Sequence, residues 1–163
     1  MTSSPLPREF NMTMTDTRWT GLPDPDLAPE VYADVPLKRL VAWVFDFAII
    51  AVLTAIVVPF TFFTGLFFLP VLFMIVGFLY RWATIAMGSA TWGMRLAAIE
   101  FRAADGGRFD STAAFLHTLG YTVSVSVFPL QLVSIVLMLI SDRRQGLTDH
   151  VLGSAALNRR ARY

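Results

Sequence analysis

The stretch KRLVAWVFDFAII, residues 38–50, opens the first long apolar segment of the chain and carries one aspartate, Asp46, in its interior. Asp46 is the only charged residue between Leu40 and Tyr80. A carboxylate inside an apolar segment is costly unless another group compensates it, and such residues mark structural or functional sites. The stretch therefore predicts a membrane-spanning helix whose aspartate has a partner elsewhere in the chain.

The composition agrees with a small integral membrane protein. Of the 163 residues 55% are hydrophobic and only 15% are charged, whereas soluble proteins have about 25% charged residues. The mean hydropathy is +0.59. The absence of Cys excludes disulfides, and two His without Cys predict no zinc site. We expect no metal, no cofactor, no enzymatic activity and no nucleic-acid partner, with the lipid bilayer as the main partner.

Two long antiparallel helices are predicted first. Residues 40–63 form an apolar run of about 24 residues, which exceeds the ~20 that a helix needs to cross a bilayer. Only a short turn at residues 64–65 follows, so the next helix must run back. A span that starts at Leu66 is long enough only if it continues through Arg81 to residues 85–88. Arg81 is therefore predicted to lie inside the membrane near one end of the second helix.

The antiparallel arrangement suggests two partners for Asp46. Asp46 lies about 9 Å from the start of the first span and Arg81 about 10 Å before the end of the second, at 1.5 Å per residue. Arg81 thus matches Asp46 in depth. Arg39 lies seven residues before Asp46 on the same helix face, about 10.5 Å away along the axis. We predict that Arg81 pairs with Asp46 and that Arg39 attracts it from a distance.

A third apolar region, residues 111–141, allows two interpretations. Residues 121–140 could form a single span preceded by an interfacial helix over 111–120, or Pro129 could break the region into a hairpin that returns to the same side. The positive-inside tendency favours the hairpin slightly, because a third crossing would place the five basic residues of the C-terminal segment outside. It also predicts a cytoplasmic N-terminus, since the turn between the first two spans has no basic residue.

The segment between the second and third apolar regions, residues 88–109, is too polar to cross and is predicted to lie on the membrane surface as a basic loop. If the C-terminal segment is on the same side, the sequences LAAIEF (residues 96–101) and SAAL (residues 154–157) could pair as a small sheet. The predicted fold is thus an all-α polytopic membrane protein. Its domains are a flexible polar tail over 1–35, a membrane domain over 36–158 and a basic tail over 159–163.

Three motifs together resemble the RDD family of small bacterial membrane proteins: RLVAWVFD (residues 39–46), GSATWGMRLAAIEF (residues 88–101) and SDRRQGLTDHVLGSAAL (residues 141–157). The resemblance covers about residues 35–158. It implies that Arg39 is the family's arginine, Asp46 its first aspartate and Asp149 its second, with Asp142 the weaker candidate. His117 stands where many relatives carry Arg. The resemblance implies a membrane domain with a role related to transport and no defined substrate. We expect the protein to lie in the bacterial inner membrane.

Two functions remain open from the sequence. In one, the protein transports ions, exchanging cations for protons at Asp46, with Arg39 and Arg81 setting the charge state of that carboxylate. Because three membrane regions are few to enclose a pathway, this function predicts a homo-oligomer. In the other, the protein is a scaffold or accessory subunit whose Arg and Asp residues only hold helices together, and Asp142 and Asp149 organise the C-terminal loop.

Overall fold

The structure, a computed structural model, describes residues 21–159. It contains six α-helices, two short β-strands and two 3-10 turns within that range. The helices are α1 (Val35–Phe60), α2 (Leu69–Gly88), α3 (Trp92–Leu96), α4 (Ser111–Ser126), α5 (Phe128–Ile140) and α6 (Leu147–Leu152); the strands are β1 (Ile99–Arg102) and β2 (Ala155–Asn158); the 3-10 turns are Pro29–Val31 and Thr64–Leu66.

Helices α1 and α2 are long and apolar enough to cross a membrane, which confirms the prediction of two long helices in a helical membrane protein. Their outward faces carry large exposed apolar side chains, as expected for surfaces that contact lipid. α1 begins at Val35, five residues earlier than predicted, because Pro36 fits the first turn of a helix. α2 begins at Leu69, since Thr64–Leu66 forms part of a longer connection than the sequence suggested.

The third apolar region folds as a broken pair of helices. α4 and α5 meet at Val127 with a bend of 116° between them, and Pro129 lies in the first turn of α5. α4 has 16 residues and α5 has 13, so each is shorter than the ~20 residues of a full crossing. A continuous helix over residues 121–140 does not form, because the chain turns at Val127.

A two-stranded sheet joins the segments on either side of this helix pair. β1 pairs antiparallel with β2, with Ile99 opposite Asn158 and Arg102 opposite Ala155. The pairing of the LAAIEF and SAAL sequences is therefore confirmed. Because β1 precedes α4 and β2 follows α6, the pairing holds both ends of the α4–α5 hairpin at the same end of the molecule.

The segment before α1 packs onto this sheet. Leu22, Val31 and Tyr32 are buried against Ala155 and Leu157 of β2. Residues 21–35, which belong to the predicted tail, thus place apolar side chains of a polar segment in a buried position. Residues 1–20 of that predicted tail, and residues 160–163 of the predicted basic tail, lie outside the described residues.

Candidate functional site

Asp46 lies where three helices meet. Its carboxylate is buried, with 4% exposure. One oxygen, Oδ1, accepts hydrogen bonds from the Tyr80 hydroxyl of α2 at 2.7 Å and from the Gly93 backbone N–H of α3 at 2.9 Å. The other, Oδ2, accepts one from the Thr91 hydroxyl at 2.6 Å. The partners of Asp46 are thus neutral donors from two other elements.

The predicted Asp46–Arg81 pair does not form. Among residues 21–159 no basic side chain makes an ion pair with Asp46. The residue of α2 that contacts Asp46 is Tyr80, which lies one position before the predicted Arg81. Successive residues of a helix point about 100° apart, so the neighbour that faces α1 is Tyr80, and Arg81 faces another helix.

Gly93 lets the backbone of α3 approach α1 closely enough to reach Asp46. A Cβ atom at Gly93 would lie 2.2 Å from the Ala42 carbonyl oxygen and 2.9 Å from the Asp46 carboxylate. Thr91 caps the start of α3, where its hydroxyl accepts a hydrogen bond from the Met94 N–H and donates to Asp46. Sequence reasoning assigned none of these contacts. A local signal for them is the T-x-G sequence at residues 91–93, in which Thr91 caps the helix and Gly93 is its second residue.

Asp149 forms a second buried centre, with 1% exposure. Its Oδ2 lies 2.6 Å from a guanidinium nitrogen of Arg39 and accepts the Gly146 backbone N–H at 3.0 Å. Its Oδ1 lies 2.9 Å from Nε2 of His117 and accepts a longer bond from the Ser154 hydroxyl. Asp149 therefore ties α1, α4 and α6 together.

The charge state of Asp149 follows from these neighbours. Burial by itself raises the pKa of a carboxyl group, but the Arg39 guanidinium and the bond to His117 outweigh burial and hold the pKa of Asp149 well below its usual range. Arg39 also lies over the Phe101 ring, with its guanidinium carbon 5.1 Å from the ring centre. The prediction that Arg39 acts on Asp46 is replaced by a direct ion pair with Asp149.

The remaining predicted residues, Arg81 and Asp142, are placed differently. The Arg81 guanidinium lies over the ring of Tyr121 in α4, 4.8 Å from its centre, and makes one long hydrogen bond of 3.5 Å to the Gly77 carbonyl. Asp142 is exposed and joins no ion pair within residues 21–159. The structure thus brings Arg39 and Asp149 together and leaves Asp46, Arg81 and Asp142 outside that pair.

One cavity of about 980 Å³ connects these residues. It lies between α1, α2, α4, α5 and α6 and is lined by Asp46 as well as by the Arg39–Asp149 pair. Its wall combines apolar side chains with a few polar ones, as ligand pockets usually do. Within the described part of the chain, no cluster of three or more His, Asp or Glu side chains could hold a metal ion. The lining includes Leu40, Trp43, Arg81, Thr118, Tyr121, Gln131, Ile135 and Met138.

Comparison with known proteins identifies the family. A search of curated proteins found no match, and neither did a search of solved structures. A family model described as the RDD family matches residues 34–153, a range that includes Arg39, Asp46 and Asp149. Because that match covers most of the chain, the chain belongs to the RDD family.

Proposed function

We propose that this membrane protein transports ions and that Asp46 is the carboxylate that exchanges a cation for a proton. One observation carries the proposal: Asp46 is buried, lines the cavity and has no basic partner among residues 21–159. A carboxylate has about four acceptor positions, and the three hydrogen bonds on Asp46 leave one on Oδ2. That position is available to a proton or a small cation.

The neutral partners of Asp46 favour this role over a permanently fixed charge. An arginine in contact would hold the carboxylate ionised and would compete with an incoming cation. Hydroxyl and amide donors orient the carboxylate without neutralising it. Asp149, by contrast, is paired with Arg39 at 2.6 Å, and we propose a positioning role for it with no exchange.

The test is flux in proteoliposomes, with a pH-sensitive dye inside and a Na⁺ or K⁺ gradient across the membrane. Asp46→Asn keeps the size of the side chain and an acceptor for Tyr80 and Gly93, but it cannot take up a proton or carry the charge. Asp26→Asn is the matched control, because Asp26 is exposed and lies before α1. We expect cation-dependent proton flux in the wild type and in the control, and its loss in Asp46→Asn.

A second function, a non-enzymatic scaffold or accessory subunit, is favoured by the three helices that Asp46 joins. In that case wild-type protein carries no more flux than protein-free liposomes. Full flux in a folded Asp46→Asn variant would also overturn the exchange proposal, because the carboxylate would then be dispensable for transport.

We propose the bacterial inner membrane as the location, with several crossings and the N-terminus in the cytoplasm. The sheet, the start of α1 and α6 lie at one end of the molecule, and the basic residues Lys38, Arg102, Arg144 and Arg159 belong to this end or adjoin it. The connection between α1 and α2 at the other end has no basic residue. This asymmetry follows the positive-inside tendency. We also propose a homo-oligomer, since one copy has few helices to enclose a pathway.

A further inference from the structure

Arg81 is a cation in a membrane-spanning helix that has no acidic partner within residues 21–159. Its contacts are the face of Tyr121 and one long bond to its own helix backbone. A guanidinium group has five N–H donors, so most of its donor capacity is unused by the described residues. A charge at this depth requires compensation. The cavity that Arg81 lines is the place from which an anion could supply it.

Other hydrogen-bond donors that have no acceptor among residues 21–159 belong to the lining of the same cavity. The Thr118 hydroxyl, on a residue with 0% exposure, has no hydrogen-bond partner among the described residues. The Tyr121 hydroxyl accepts a bond from the Trp43 indole N–H, which leaves its own O–H free to donate. The Gln131 carbonyl accepts a bond from Ser124, which leaves its amide N–H₂ as a donor. Thr118 and Tyr121 are three residues apart and share one face of α4.

This set of donors defines the chemistry of a ligand. Three donors that line the cavity and are partly exposed, on Arg81, Tyr121 and Gln131, fit an anion with several acceptor oxygens. Arginine binds a carboxylate or a phosphate through two parallel hydrogen bonds. The two buried carboxylates that line the cavity are already engaged: Asp149 by Arg39, and Asp46 by three neutral donors. Asp34 and Asp142 also line the cavity, but both are exposed and neither forms an ion pair with Arg81. They leave the positive charge of Arg81 uncompensated.

Apolar side chains of α1 and α5 form another part of the wall. Leu40, Ile135, Met138 and Leu139 line the cavity on the sides formed by α1 and α5. A volume of about 980 Å³ is at the upper end of the range of ligand pockets, roughly 300–1,000 Å³, and would hold an alkyl chain as well as a headgroup. We propose that this cavity binds an anionic amphiphile, whose carboxylate or phosphate group contacts Arg81 and whose alkyl chain lies against α1 and α5.

The inference does not depend on ion exchange at Asp46, and its test measures binding alone. Purified protein in phosphatidylcholine nanodiscs is photolabelled with a photoreactive analogue of palmitate, and the labelled fraction is read from the intact mass. Unlabelled palmitate and lysophosphatidate compete as anionic amphiphiles, hexadecanol as a neutral one, and acetate and inorganic phosphate as headgroups without a chain.

We expect saturable labelling that palmitate and lysophosphatidate suppress. Hexadecanol should suppress it at least about tenfold less well, because it lacks the charged group that Arg81 binds. Acetate and phosphate should also suppress it at least about tenfold less well, because they lack the alkyl chain that the apolar side chains of α1 and α5 cover. Arg81→Gln should weaken labelling by about tenfold or more, and Arg95→Gln, an exposed arginine in α3, should not. Gln131→Leu gives an independent test at the same site.

Three results would overturn the proposal. Equal labelling of the wild type and a folded Arg81→Gln variant would remove the anion contact. Equal competition by hexadecanol would make the headgroup irrelevant, and equal competition by phosphate would replace the amphiphile with a free anion. If Arg81→Gln does not fold, undiminished labelling of Gln131→Leu would overturn the proposal in its place.

Discussion

Among conservative substitutions of the charged candidate residues, Asp149→Asn should be the most destabilising. The substitution keeps the side-chain shape but removes the negative charge that faces Arg39, whose side chain is only 13% exposed. On Oδ2 both neighbours, the Arg39 guanidinium and the Gly146 N–H, are donors. The amide N–H₂ of the introduced asparagine can occupy the position of either carboxylate oxygen. In one orientation it faces the Arg39 and Gly146 donors, and in the other it faces His117 and Ser154.

The expected magnitude follows from this loss. Removing one partner from a buried ion pair costs about 3–5 kcal/mol, because the other charge remains buried without compensation. Arg39 keeps its contact with the Phe101 ring, which places the expected cost near the lower end, about 3 kcal/mol. At roughly 2–4 °C per kcal/mol for a chain of this size, the midpoint of thermal unfolding should fall by roughly 6–12 °C.

The measurement is tryptophan fluorescence during heating or detergent denaturation of the purified protein in a mild non-ionic detergent. Asp142→Asn is the matched control, because Asp142 belongs to the same segment, is exposed and makes no ion pair within residues 21–159. The control should change the free energy of unfolding by less than about 0.5 kcal/mol. Equal effects of the two substitutions would refute the assignment of Asp149 as the residue that holds α1, α4 and α6 together.

The pH dependence of the stability difference between the wild type and Asp149→Asn is an independent test of the same ion pair. Because the pKa of Asp149 is lowered in the folded protein, its contribution to stability is present above its unfolded pKa, about 3.9, and is lost as the pH falls further through the folded value. The stability difference between the wild type and Asp149→Asn should therefore be constant from neutral pH to about 5 and shrink below about 4. A difference that grows on acidification would contradict the lowered pKa.

Three further predictions concern the other contacts. Gly93→Ala should cost about 1–3 kcal/mol in the same unfolding assay, because its methyl group would lie 2.2 Å from the Ala42 carbonyl oxygen. Gly107→Ala should cost less, because the added methyl group there meets the movable Asp105 side chain. Equal costs of the two substitutions would contradict the close contact between α1 and α3. Tyr80→Phe should cost about 1–2 kcal/mol in the wild type and less in an Asp46→Asn background, and strict additivity would show that the Tyr80–Asp46 bond contributes nothing. The chain has no Cys, so a single introduced Cys can be labelled selectively with a membrane-impermeant maleimide. Arg95→Cys and Arg159→Cys, both at exposed positions, should react from one side of the membrane, and Thr64→Cys from the other. Labelling of Arg95→Cys and Arg159→Cys from opposite sides would exclude the β1–β2 pairing.

The sequence was sufficient to predict the features that depend on length and composition. The span lengths and the apolar strand sequences follow from local patterns, and the structure has the two long helices and the sheet. The break near Pro129 was one of two interpretations that the sequence left open, and the structure bends the chain at Val127. The packing of residues 21–35 could not be predicted, because a few apolar residues in a polar segment do not reveal which surface they meet. The composition of a segment describes its average polarity, whereas the burial of a single side chain depends on the residues that it contacts.

The candidate site was predicted less completely because it depends on direction around a helix. Counting residues gives the depth of a side chain along the axis, and on that basis Arg81 and Tyr80 are nearly equivalent. Which of them reaches Asp46 is decided by how α2 is rotated against α1. The Arg39–Asp149 pair joins residues far apart in sequence, and only the closed arrangement of the hairpin and α6 brings them together.

The two buried aspartates are therefore expected to have different roles, which the sequence alone did not distinguish. Asp149 is expected to act on stability, and Asp46 on the proposed ion exchange. Asp149 has a compensating arginine and a lowered pKa, so its removal should act first on the free energy of unfolding. Within residues 21–159 the hydrogen bonds to Asp46 come from neutral donors, so Asp46→Asn loses the charge while keeping most of its hydrogen-bonding partners. If Asp46 exchanges ions, its substitution should abolish flux at a smaller cost in stability than Asp149→Asn. If both residues are only structural, their effects should appear in the unfolding assay alone.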